Sequence, residues 1–276
     1  MLGDRLEPLY GVTDGAQVVD RLYKELEHHP EHRTEVRQLA MYLNQVTFDA
    51  YAQHYHGMMA APEEVENAYE RIHLSLDVAQ DAVAYAHTGD KTYLDSLQKT
   101  LDGHKDELAA AVSDVPVTRR TLDDLPFRDR WEDAFRQKVR AHIEREVGKD
   151  PSYADDLLVL AVESGGVEPA GIVCEELEAM GYSDFDVEAV RYSSQTRMDR
   201  EVIAPPQAEE HIKRFAGRNI LVVDDFRFNG SAIGAVERYV EGFGPATVTE
   251  AQFYVHPAPY LFNGGPEVFM VHRADE

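Results

Sequence analysis

The apolar positions of the first half of the chain recur three and four residues apart. Segment 14–28 carries Val18, Val19, Leu22, Tyr23 and Leu26, and ends near Pro30. Segment 33–58 places Val36, Leu39, Ala40, Leu43, Val46 and Ala50 at the same spacing. A third helix begins at Pro62, with Glu63 and Glu64 suited to its positive end. Its stripe runs Val65, Tyr69, Ile72, Leu76, Ala79, Val83 and Ala86 until Thr88-Gly89-Asp90 interrupts it. Leu94, Leu97, Leu101 and Leu108 predict a fourth helix over 91–112; Trp131, Phe135, Val139, Ile143 and Val147 predict a fifth over 128–147. The pattern predicts an all-helical region spanning residues 1–150.

Past Gly148-Lys149-Asp150-Pro151 the period changes. Leu157 to Val162 is an apolar run of strand length, followed by Glu163-Ser164-Gly165-Gly166 and a helix over 168–181. Strands are predicted at 186–192, 219–225, 247–255 and 267–272, with helices at 207–216 and 231–242. Strands alternating with helices of this length predict an α/β domain over 151–276: a mainly parallel sheet with helices on both faces.

Composition changes this picture little. The 276 residues carry a formal net charge of −24, with 20 arginines and 7 lysines among the basic groups. So acidic a surface repels polyanions at ordinary salt, which argues against nucleic acid as a partner. No apolar run approaches the roughly 20 residues of a membrane span, and the start lacks the basic-then-apolar order of a signal peptide, so a cytoplasmic address is expected. Cys174 is the single cysteine and sits in an apolar helical stretch, where it reads as a small buried hydrophobe.

The stretch with most chemistry is Asn219-Ile220-Leu221-Val222-Val223-Asp224-Asp225, followed by Phe226-Arg227-Phe228-Asn229-Gly230-Ser231-Ala232. Two adjacent carboxylates at the end of a buried strand suit a pair of sugar hydroxyls or a divalent cation. A glycine turn opening a helix beyond them suits a phosphate. A nucleotide-binding P-loop would need Gly-Lys-Ser/Thr, and a dinucleotide fold Gly-x-Gly-x-x-Gly after its first strand; neither is present.

These residues resemble the type I phosphoribosyltransferases, whose signature is four apolar residues, two acids, a short variable stretch and a threonine-rich glycine loop. Ile220 to Val223 match the apolar run and Asp224-Asp225 the acids. Val159 to Ala170, containing Ser164-Gly165-Gly166, is similar to the family's first strand and pyrophosphate loop, and 193–204 falls where the family carries its mobile catalytic loop. The resemblance implies a phosphoribosyltransferase-like sheet and an enzyme that joins phosphoribosyl pyrophosphate to a base or similar acceptor, with Mg²⁺ as cofactor. It assigns the ribose, and the metal, to Asp224 and Asp225. It assigns the 5′-phosphate to Arg227, Phe228, Asn229, Gly230, Ser231 and Ala232, and the pyrophosphate to Ser164, Gly165 and Gly166. Arg197 and Arg200 become the catalytic cations of the closing loop, and pairing of two copies is implied.

The chain departs from that signature. Phe228-Asn229 stand in place of a Thr-Thr pair, Ala232 in place of the last threonine, and Ser164 where a basic residue is common. A second reading therefore stands beside the enzyme: a regulatory protein that senses phosphoribosyl pyrophosphate or a nucleotide at the same site.

The helical half holds two spacings familiar from di-iron bundles, Glu25-x-x-His28 and Glu70-x-x-His73. Glu70 lies about 160° around its helix from Ile72, away from the apolar stripe, which speaks against an inward ligand. His54 and His104 fall on apolar stripes and read as hydrogen-bonded core histidines.

Overall fold

The computed structural model describes residues 14–54, 61–115, 128–163, 165–192, 202–227, 231–255 and 270–272. The chain divides into two compact units, residues 1–123 and 124–276.

The first unit holds four helices: α1 (Gly15–His28), α2 (Arg33–His54), α3 (Pro62–Thr88) and α4 (Lys91–Val112). Each packs on the next in chain order, and α1 closes against α4. Their starts and stops follow from the sequence. Asp14 Oδ1 accepts the Gln17 amide at 3.0 Å and caps α1. Pro62 opens α3, and Gly89, at φ 68°, ends it in the left-handed conformation that glycine adopts without a Cβ clash. Asp90 then accepts the Thr92 amide at 2.8 Å and starts α4. The predicted stripes meet in one core that includes Val18, Leu22, Leu39, Leu43, Leu97 and Leu101. Within α3 the buried face is wider than predicted, taking in Ala68, Ser75, Val78 and Ala82. Small side chains there let α2 approach, and Asn44 Nδ2 donates to Ser75 Oγ at 3.0 Å across the contact.

One predicted core histidine is a surface residue. His104 has a side chain 48% exposed, with Nδ1 3.5 Å from Glu107 Oε2. It lies at the edge of the Leu101–Leu108 stripe, where an imidazole reaches water and a carboxylate without desolvation. The His54 side chain lies outside the described residues.

The second unit begins with α5 (Arg128–Lys149) and continues β1 (Leu157–Glu163), α6 (Val167–Ala179), β2 (Asp186–Arg191), α7 (Pro206–Lys213), β3 (Asn219–Arg227), α8 (Ser231–Glu241), β4 (Thr247–Val255) and β5 (Met270–His272). The fifth helix, expected to belong with the helical half, instead packs on α6. Arg136 explains the attachment: its guanidinium donates to Glu132 on its own helix and to Glu175 and Glu176 on α6, at 2.7–3.1 Å. Arg140 adds two bonds to Glu176, at 2.7 and 2.9 Å. The expected boundary at residue 150 therefore falls after a helix that belongs to the α/β unit. Periodicity marks α5 as helical; only partner chemistry says where it docks.

The sheet order is β2-β1-β3-β4-β5, with β1 to β4 parallel and β5 antiparallel to β4. All seven residues of β1 are buried, as befits a central parallel strand covered on both faces. Leu158, Leu160, Val162, Ile220 and Val222 join Ile212, Ile233, Val236 and Val240 in one core, on the face covered by α7 and α8. Strand alternation sends Val159, Ala161, Leu221 and Val223 to the other face, where α6 packs on β1 and β3. No helix among the described residues is long and apolar enough to cross a membrane.

Candidate functional site

After β1 the chain reverses direction in strand order: β2 lies on one side of β1 and β3 on the other. Loops leaving the carboxyl ends of β1 and β3 diverge to opposite faces there, leaving a crevice that open α/β sheets use for ligands. Gly165 and Gly166 follow β1, and Asp224-Asp225 lie on β3 at the same edge.

The acids are not the last residues of their strand. β3 runs on to Arg227, with Asp224 opposite Gln252, Phe226 opposite Tyr254 and Arg227 opposite Val255 on β4. On its other side, pairing with β1 stops at Val223. The strand predicted to end at Asp225 is thus two residues longer, because β4 still pairs with it after β1 has turned away. The acids sit where one side of β3 has just become free.

Side-chain alternation separates the two carboxylates. Asp225 shares the parity of Leu221 and Val223 and faces the α6 side; Asp224 shares that of Ile220 and Val222 and faces the α8 side. Asp224 is 7% exposed, and its Oδ1 accepts the Asp225 amide at 2.9 Å. Asp225 is more open. It lies directly against the turn after β1: a β-carbon placed on Gly165 would fall 2.1 Å from Asp225 Oδ1 and 2.6 Å from Oδ2.

Gly166 answers a different demand. A β-carbon there would meet Val223 O at 2.1 Å and Val162 N at 2.6 Å, so the backbone itself occupies the space. Its φ of −76° is open to any residue; close approach, not torsion, requires the glycine. The Gly166 amide donates to Val162 O at 2.7 Å, and α6 starts at the next residue. The opening amides of α6, and of α8 beyond β3, carry the partial positive charge of helix starts. Buried acids stand close by in sequence: Glu163, the last residue of β1, and Glu168, in the first turn of α6, are 4% and 3% exposed.

The stretch expected to form the catalytic loop leaves from β2 and returns before α7. Arg191 and Ile203 bracket it, exchanging both backbone hydrogen bonds at 2.9 and 2.8 Å. Residues 193–201, including Arg197 and Arg200, lie outside the described residues, as do Ser164, Phe228, Asn229 and Gly230. Arg227 is the last residue of β3 and Ser231 the first of α8; their side chains too are outside the description. Ala232 packs its methyl group against the α7–α8 core, leaving only its backbone to serve a ligand.

The structure thus brings Gly165 against Asp225 and Gly166 against the backbone of Val223. Sequence reasoning did not single out Glu168, because an acid in a first helical turn normally reads as a solvated partner of the helix start. Cys174 is buried as expected, and burial pushes its thiol far above the ordinary range, which leaves it inert as a nucleophile.

Fold and site define the class: a parallel α/β protein with an acidic pair and a diglycine turn at its topological switch point. Residues 132–272, just over half of the chain, match the family described as "Phosphoribosyl transferase domain". The chain belongs to that family, and membership supports a phosphoribosyltransferase type of function. Among solved structures, the HGPRT-ase from Leishmania tarentolae in complex with GMP is 17% identical, with 48% of this chain and 69% of that one covered at a TM-score of 0.36. No curated protein matches the sequence.

Proposed function

We propose that the chain binds phosphoribosyl pyrophosphate at the carboxyl edge of β1 and β3 and transfers its phosphoribosyl group to a base or similar acceptor, releasing pyrophosphate. The observation that carries this reading is the approach of Gly165 to the Asp225 carboxylate, which sets the proposed pyrophosphate turn beside one of the proposed ribose acids. Asp225 would accept hydrogen bonds from a ribose hydroxyl, and Asp224, tied to the Asp225 amide, would hold the strand edge in register. The amides of Gly165 and Gly166 would face the pyrophosphate, and residues 227–232, opening α8, the 5′-phosphate.

In the reaction the bond from the ribose carbon to the pyrophosphate oxygen breaks, and its electron pair leaves with pyrophosphate. The acceptor nitrogen supplies the pair for the new bond and gives up its proton. Positive charge builds on the sugar ring in between, so carboxylates beside the ribose help. Arg197 and Arg200 would bring cations to the departing pyrophosphate from the segment between β2 and α7.

The donor set fits Mg²⁺. Asp225, the more open of the pair, offers hard carboxylate oxygens, while Asp224 faces the other side of β3; Glu163 and Glu168, both buried, flank the turn after β1. When bound, Mg²⁺ would neutralise the leaving group's charge.

Those same acids, with the missing threonines of the 228–232 loop, favour the second reading: a sensor that binds phosphoribosyl pyrophosphate or a nucleotide without turnover. Titration with phosphoribosyl pyrophosphate and Mg²⁺, at low and high salt, followed by a pyrophosphate-release assay across a panel of bases, separates the two. Release supports the transferase; binding without release supports the sensor. A folded chain that binds nothing rules out both.

A further inference from the structure

The corner between α1 and α2 reads Glu25-Leu26-Glu27-His28-His29-Pro30-Glu31-His32. The di-iron spacing Glu25-x-x-His28 within it is not an inward-facing ligand pair: Glu25 is buried against Arg21, while His28 is 60% exposed. The corner arranges different residues. His29 follows α1, its amide donating to Glu25 O at 2.8 Å, and the His32 amide donates to His29 O at 2.9 Å. That short turn lays the two imidazoles face to face, with ring centroids 4.9 Å apart and planes 12° from parallel. Glu31 projects beside them, its Oε1 3.8 Å from His29 Nδ1. One nitrogen from each ring and one Glu31 oxygen lie within 4.8 Å of one another.

We infer that His29, Glu31 and His32 form a site for a divalent transition ion of the zinc class. Two imidazoles and a carboxylate suit Zn²⁺, Co²⁺ or Ni²⁺, whereas Mg²⁺ and Ca²⁺ prefer all-oxygen shells. Tetrahedral bonds of about 2.0–2.1 Å put ligand atoms roughly 3.3 Å apart, so the three groups close on an ion by side-chain rotation alone. Three protein ligands leave a fourth position for water.

Two further features support the site. The turn is held from below: the Tyr85 hydroxyl, on α3, donates to Pro30 O at 3.0 Å, and Pro30 fixes its own torsion. The ligands therefore start from an ordered backbone, which lowers the entropic cost of closing. Beneath them, Glu25 Oε2 lies 3.4 Å from His32 Nδ1. That oxygen is buried and receives no hydrogen bond among the described residues. A carboxylate behind one imidazole nitrogen is the arrangement that orients a histidine toward a metal at its other nitrogen. A bound ion would clip the end of α1 to the start of α2 and stabilise the helical unit by mass action.

The test uses the full chain, stripped with a chelator and titrated with Zn²⁺ and separately with Co²⁺. One saturable equivalent is expected, with a tetrahedral Co²⁺ spectrum and a rise in thermal midpoint that the chelator reverses. His29→Ala and His32→Ala should each weaken binding at least about tenfold, and Glu25→Gln by about tenfold to a hundredfold. His104→Ala, on the surface of α4, should leave the affinity unchanged. Absence of saturable binding overturns the inference, as does equal affinity in the His29→Ala/His32→Ala double variant.

Discussion

Gly165 stands so close to Asp225 that a methyl group at residue 165 would overlap the carboxylate, 2.1 Å from Oδ1. At Gly166 the same methyl group would overlap the carbonyl of Val223, also at 2.1 Å. The first neighbour is the end of a side chain and can swing away; the second is the backbone of a central strand and cannot. Gly165→Ala should keep the stability within about 1 kcal/mol of the parent and weaken phosphoribosyl pyrophosphate binding at least tenfold, by turning Asp225 out of place. Gly166→Ala should lower stability by about 1–3 kcal/mol or more, as overpacking does. Denaturant unfolding and ligand titration on both variants check the contrast; equal effects would refute it.

The two acids should separate in the same way. Asp225→Asn removes the more open carboxylate and is expected to abolish binding with little change in unfolding free energy. Asp224→Ala removes a buried acceptor whose Oδ1 takes the next amide, so it should lower stability by about 0.5–1.5 kcal/mol as well as weaken binding. Unchanged affinity in both variants would remove the site from β3.

The α5–α6 attachment predicts where the chain can be cut. A fragment of residues 124–276 should fold, whereas one beginning at residue 151 should not, because it strips α5 from α6. Arg136→Ala in the full chain leaves Glu175 and Glu176 without their central cation, and the cost should be about 3–5 kcal/mol, as for breaking other buried ion pairs. Circular dichroism of the fragments and calorimetry of the variant give the answer. A well-folded fragment from 151 would contradict the role given to α5.

Glu146 supplies a pH dependence. Burial raises its pKa, but hydrogen bonds from Arg145 and Lys149, with the charge of Lys149, outweigh burial and hold it at about 2. Because the folded value lies below the unfolded one, near 4.3, the stabilisation is fully present above that pH. It disappears as pH falls through about 2. Glu146→Gln should therefore melt below the parent at pH 7, and the gap should narrow between pH 4.5 and 2. A gap that stayed constant over that range would show that the carboxylate's charge is not involved.

Much of this was legible in the chain. Apolar residues three and four apart mark α1 to α5 because a helix must bury one face. The run Leu157–Val162 marks a strand because six residues buried on both sides leave no polar position. The acid pair and the diglycine turn were visible as motifs because their chemistry lies in residue type. Arg197, Arg200 and the loop from Phe228 to Gly230 stay at the level of that motif, since they fall outside the described residues.

Sequence by itself determined the elements, the change from helical to alternating period near residue 150, and the residue types available at the carboxyl edge of the sheet. These are local matters of torsion, capping and periodicity. Tertiary structure decided what depends on partners. It assigned α5 to α6 through Arg136, carried β3 past its acids because β4 still pairs there, and sent Asp224 and Asp225 to opposite faces. It also put His104 in water, where a neighbouring glutamate meets it. Gly165 shows the limit most clearly. Its need for a bare α-carbon comes from Asp225, a residue 60 positions away that only the pairing of β1 with β3 brings into contact.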